Sequence, residues 1–116
     1  MIDIQRFNSD SRLSRAVIHG NTVYLAGLTA DDRSKGMREQ TVEILAKIDA
    51  LLKTAGTDKS KLLTATIWIT DMRDKAKMDE AWIAWVDAKN VPARACVEAR
   101  LGTPDTLVEI MVQAAK

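Results

Sequence analysis

Apolar residues recur along this chain with two different periods. In residues 37–55 (MREQTVEILAKIDALLKTA) they return every three or four positions. Ile44, Leu45, Ile48, Leu51, Leu52 and Ala55 form one stripe, with Glu39, Glu43, Lys47 and Lys53 off it. That spacing predicts an amphipathic helix. Gly56, directly after it, is the expected stop, because glycine takes the left-handed conformation that closes a helix. A second helix is predicted over 75–88, with Met78, Ala81, Trp82 and Trp85 on its apolar side and Asp74 as its N-cap. Elsewhere the period is two. SRAVIH (14–19) and TVYLAG (22–27), separated by Gly20-Asn21, read as a hairpin, and the polar TADDRSKG that follows reads as a loop. In LLTATIWIT (62–70), Leu63, Ala65, Ile67 and Ile69 share one face. Leu62, Thr64, Thr66, Trp68 and Thr70 share the other. Two last strands are predicted over 94–101 and 106–115. Ala95, Val97, Ala99 and Leu101 point one way in the first, and Val108, Ile110, Val112 and Ala114 in the second.

The predicted order is β-β-α-β-α-β-β, an α+β chain. Each helix has a single apolar stripe, so both are expected on one face of one mixed sheet, with parallel pairing where a helix links two strands. The other face is then a puzzle. It would carry Trp68, Thr64, Thr66, Leu107 and Met111 beside Arg94, Cys96, Glu98, Arg100 and Glu109. Bare solvent does not call for Trp68 and Met111, and a closed core does not tolerate four unpaired charges. A subunit interface with polar pockets satisfies both, so a homo-oligomer packed through the sheet face is expected.

The bulk numbers narrow the chemistry. The 116 residues suit one domain. Lys and Arg total 17 against 16 Asp and Glu, a net charge of +1, without the basic excess that neutralises nucleic-acid phosphates. Nucleic acid is therefore not an expected partner. The N-terminal MIDIQRFNSDSRLSR has no apolar core of a signal peptide, and no run of about 20 apolar residues offers a membrane span. The single cysteine fits a reducing compartment, and a cytoplasmic location is expected.

Few side chains can do chemistry. His19 is the only histidine and flanks the Gly20-Asn21 turn. One His and one Cys argue against a zinc site, and DMRDKAKMDE lacks the glycine that a calcium loop needs. The five glycines are scattered, at 20, 27, 36, 56 and 102, so no phosphate loop is seen. That leaves the last two strands. Arg94 either pairs with Glu98 or Glu109, or offers its planar fork to a ligand carboxylate. Glu109, in mid-strand, is either paired or holds a water, and a partly buried carboxyl can serve as a base. Cys96 shares a face with Arg94 and reads as a small buried filler.

Those same residues carry a resemblance. PARACVEARL followed by VEIMVQAA resembles the C-terminal signature of the RidA/YjgF family, formerly endoribonuclease L-PSP, with Pro92, Arg94, Cys96, Val97, Glu98 and Glu109 all matching. SRAVIHGNTVYLAG and TIWITDMRDKAKMDEAW resemble the family's upstream segments, so the likeness spans nearly the whole chain. It implies a fold like the trimeric type of chorismate mutase, a homotrimer around a central sheet barrel with pockets at the three interfaces. It also implies hydrolysis of reactive imines or enamines to 2-oxo acids and ammonia, without cofactor or metal. On that resemblance Arg94 clamps the substrate carboxylate, the backbone of Cys96 holds the imine or carboxylate region, Glu109 positions water, and the Gly27 backbone lies near the ligand. Four positions depart from the family pattern and mark a divergent subgroup. Leu13 replaces a pocket aromatic, Ala26 and Leu28 replace the Ser and Gln around the pocket glycine, and Asp79 replaces a helix Asn. The implied pocket is more apolar and poorer in hydroxyls. The alternative is a trimer that binds small carboxylates, chaperone-like, without turnover. A third reading, RNA cleavage, is opposed by the balanced charge, the lone His19 and the lack of an aromatic platform.

Overall fold

The computed structural model describes residues 2–116. The long helix is α1, Met37–Ala55, with the expected stripe buried. Gly56 ends it at φ 86°, and Thr57 N–H bonds back to the Leu52 carbonyl, so the last turn is closed as its sequence foretells. The strands are β1 (Ile4–Ser9), β2 (Ser14–His19), β3 (Thr22–Leu25), β4 (Leu62–Ile69), β5 (Ala93–Glu98) and β6 (Val108–Ala115). They form one six-stranded sheet in the order β1-β2-β3-β6-β4-β5. Only β4 and β5 run parallel, joined through α2, Lys75–Trp85. Both helices cover the same face. The core between them and the sheet holds Ile44, Ile48 and Leu52 of α1, Met78 of α2, and Val23, Ile67 and Ile110 of the strands, all fully buried.

Several elements differ from the sequence expectation. β1 is an addition to the predicted order. It is an edge strand in which only Phe7 packs against the core, so it carries almost no hydrophobic alternation. β3 stops at Leu25, two residues short of Gly27. In β4 the register shifts between Leu62 and Thr64, so Leu62 is 7% exposed and Leu63 47%, the reverse of strict alternation. α2 ends at Trp85 rather than residue 88. Asp74 precedes it without a side-chain cap, and the carboxylate of Asp71 instead caps the short 3₁₀ turn Met72–Asp74 by accepting from Arg73 N–H. β6 begins at Val108, and its expected inward set, Val108, Ile110, Val112 and Ala114, is buried.

The largest correction concerns β5. It is shorter than expected and its faces are inverted. Arg94, Cys96 and Glu98 align with Ala65, Ile67 and Ile69 of β4, the residues that face the helices. Ala95 and Val97 therefore look onto the open face. The reason is that β5 is an edge strand. Its inner flank meets only the side of α2, where a charge finds both a partner and water.

One buried polar side chain ties the layers together. Gln40 of α1 is wholly buried. Its Nε2 donates to the carbonyls of Lys35 (3.0 Å) and Asp105 (2.9 Å), and its Oε1 accepts from Leu107 N–H (3.0 Å). The loop between β5 and β6 is thereby fastened to α1, with its buried polar groups paired.

Candidate active site

The residues singled out from the sequence fall into two groups. The first lies where β5 runs beside α2. Arg94 Nη1 donates to Asp79 Oδ1 at 2.7 Å, and its guanidinium sits over the Trp82 ring, 5.6 Å from the centroid. Lys75 Nζ reaches the other Asp79 oxygen at 2.6 Å. The Arg94 and Asp79 side chains are 23% and 21% exposed, so water screens the ion pair in part. Burial of Asp79 disfavours its charge, but the hydrogen bonds from Lys75 and Arg94 outweigh it and hold the carboxyl below the usual aspartate range. Cys96 is half-buried against the core on the same flank. Burial pushes its thiol up, with Arg94 and Lys75 pulling weakly the other way, so it is a neutral thiol rather than a nucleophilic thiolate.

The expected pairing of Arg94 with Glu98 or Glu109 is not what forms. Glu98 accepts from Met72 N–H at 2.8 Å, and Glu109 lies on the opposite face of the sheet. The sequence pattern also places Trp82 simply in the helix core and gives Lys75 no role. The one signal for Lys75 is its spacing of four from Asp79.

The second group is on the open face. Glu109 stands opposite Trp68 in the β4–β6 ladder. After β3 the chain continues alongside β6, where Leu28 exchanges both backbone hydrogen bonds with Ile110. That pairing presses Gly27 against Glu109. A methyl group at Gly27 would run into the Glu109 carboxylate, so glycine here makes room rather than a turn. The half-buried carboxylate has no hydrogen bond or ion pair among the described residues. Gly27 also borders a cavity of about 430 Å³ on the helix side, lined by Lys47, Ala50 and Leu51 of α1 with Arg15 and Asp31, and Glu109 is not part of its lining. Leu13 lies in the turn between β1 and β2, 39% exposed, its N–H bound to the Asp10 carboxylate. His19 is exposed at the end of β2, away from both groups.

A single chain does not bring the two groups together. They occupy opposite faces and are separated by β4. Along β4 they sit three residues apart, Arg94 level with Ala65 and Glu109 with Trp68, or about 10 Å. Among the described residues no three His, Cys, Asp or Glu side chains cluster as metal ligands.

Residues 3–116 match the family model described as Endoribonuclease L-PSP. The chain belongs to that family. The RutC family protein YoaB of Escherichia coli (strain K12) is 43% identical over 112 residues, covering 97% of each chain. A RutC family protein of Haemophilus influenzae is 44% identical over 112 residues, covering 96% of this chain and 97% of that one. Among solved structures, a YjgF family member from Neisseria meningitidis superposes with a TM-score of 0.93 at 43% identity, covering 98% of this chain and 95% of that one. An uncharacterized Pseudomonas aeruginosa protein gives 0.95 at 38%, covering 98% and 99%. The L-PSP family fold therefore accounts for the six-stranded sheet and its two helices. Among the described residues, no helix is long and apolar enough to cross a membrane.

Proposed function

We propose that this protein hydrolyses reactive 2-imino acids, and their enamine tautomers, to 2-oxo acids and ammonia. The observation that carries the reading is the Glu109 carboxylate, half-buried against Gly27 and unpartnered, in a chain that also holds a poorly exposed arginine. The two half-sites meet between copies. In a homotrimer packed through the open face, the β5 edge of one subunit lies beside the Gly27–Glu109 group of the next. Tyr24, Val97 and Met111, all exposed on that face, supply the apolar surface for such packing.

Arg94 then holds the substrate carboxylate and orients the iminium carbon. That carbon is already electrophilic, so placement of a water is most of the task. Glu109 takes a proton as the water oxygen bonds to C2, giving a neutral carbinolamine. It returns that proton to the nitrogen. The C–N bond breaks with its electron pair going to nitrogen, releasing ammonia, and the hydroxyl proton passes by way of Glu109 to the ammonia as the carbonyl forms. Iminium plus water thus becomes 2-oxo acid plus ammonium. Backbone groups near Cys96 and Gly27 line the imine, and Leu13 and Asp79 border the site.

The test generates 2-iminopropanoate in situ with an amino-acid oxidase and traps what remains with semicarbazide. Wild type is expected to suppress the semicarbazone and Arg94→Ala to leave it unchanged from the blank. Equal suppression by both would remove Arg94 from the chemistry. A second reading draws on the changed pocket, where Asp79 stands in place of a helix Asn and bonds Arg94. On it, the assembly binds small carboxylates without turnover. Binding of 2-oxobutanoate with no imine hydrolysis across several side chains would favour that reading.

A further inference from the structure

Asp79 has two oxygens, and they go to different cations. Carboxylate and guanidinium left to themselves form a fork of two parallel N–H···O bonds. Here only Arg94 Nη1 reaches Asp79, at 2.7 Å, because the second oxygen is turned to Lys75 Nζ at 2.6 Å. Arg94 Nε and Nη2 donate to no acceptor among the described residues. Helix stability does not explain Lys75. As the first residue of α2 it sets a cation at the positive end of the helix dipole, and Lys before Asp at i,i+4 is the weaker order for such a pair.

We propose that Lys75 is a positioning residue. It keeps Asp79 from closing a bidentate pair on Arg94, and so leaves guanidinium donors free for the substrate carboxylate. Asp79 holds the guanidinium in place over Trp82 by one bond, and Lys75 limits it to one. The inference rests on Arg94 as the carboxylate site, but its geometric half stands separately.

The test uses Lys75→Met, Asp79→Asn and the double variant in the full-length protein, with Arg94→Ala as a control. A crystal structure of Lys75→Met is expected to show both Asp79 oxygens on Arg94. Calorimetric titration with 2-oxobutanoate is expected to weaken about tenfold in Lys75→Met, the effect of roughly one charge-assisted hydrogen bond. In the double variant it returns to at least the wild-type affinity, because an amide at position 79 does not compete for the fork. Loss of a nearby positive charge alone would weaken binding by the same factor whether or not Asp79→Asn is also present. That additive result, or a single unchanged Arg94–Asp79 bond in Lys75→Met, would overturn the proposal. If wild type and Arg94→Ala bind 2-oxobutanoate equally, Arg94 is not the carboxylate site, and the crystal structure of Lys75→Met still decides what Lys75 does to Asp79.

Discussion

The two halves of the site treat charge in opposite ways. On the β5–α2 flank three charges are linked, Arg94 to Asp79 and Asp79 to Lys75, over the face of Trp82. On the open face Glu109 has no partner among the described residues and lies against the Gly27 backbone. A paired group is held in position and gives up its charge to its partner. An unpaired one remains available to whatever arrives. On the proposed reaction this becomes a division of labour, in which the flank would hold a ligand's fixed charge and the open face would supply the group that moves a proton.

The sharpest way to break the comparison is to put the two halves on different chains. Arg94→Ala and Glu109→Gln homo-oligomers are each expected to lose about 100- to 10,000-fold of imine hydrolysis. Co-refolded in equal amounts, they should recover about a quarter of wild-type activity, since in random trimers that share of interfaces pairs an intact Arg94 with an intact Glu109. A mixture as inactive as its parents would show that one subunit supplies both groups. The next effect is smaller. Gly27→Ala is expected to lower activity by displacing Glu109, at a cost of no more than about 1 kcal/mol in denaturant unfolding, because the atom a methyl group meets is the free end of a flexible side chain. Unchanged activity would mean that the displaced carboxylate is not the working group. The smallest effect concerns the paired half. Asp79 has its carboxyl held below the aspartate value of 3.8, so its contribution to stability is present above that pH and is lost as pH falls below it toward the lowered folded value. Urea midpoints measured from about pH 5 down to about pH 2 should therefore fall less steeply in Asp79→Asn than in wild type. Parallel curves would show that the Lys75–Asp79–Arg94 chain adds nothing to folding.

What could be read from the sequence follows from where each element sits. α1 and β6 lie in the middle of the molecule, so burial dictates one face of each and the alternation shows it plainly. β1 and β5 are the two edges of the sheet. In β5 the apolar residues Ala95 and Val97 suggest an inward face, yet register with β4 turns Arg94 and Cys96 inward instead. Alternation states that two faces exist and leaves their orientation to the neighbouring strand. The bulge after Leu62 escapes the pattern for a related reason, since strict alternation puts Leu63 inward and a leucine at either position fits the core equally well. For the candidate site, the family signature picks out Arg94, Cys96 and Glu109. The partnership of Arg94 with Asp79 and Lys75 was not, because it depends on how α2 lies across the end of β5.

Gln40 has a consequence for how the halves move. The loop joining β5 to β6 connects the strand bearing Arg94 to the strand bearing Glu109, and its far end hangs from one buried α1 side chain through Asp105 and Leu107. The Leu107 amide, shielded by that carboxamide, should exchange with deuterium at the pace of core opening rather than of loop fluctuation. The loop is thus seated by the helix layer while β5 and β6 are each fixed to β4, so local breathing between the two strands leaves the spacing of the half-sites within a chain unchanged.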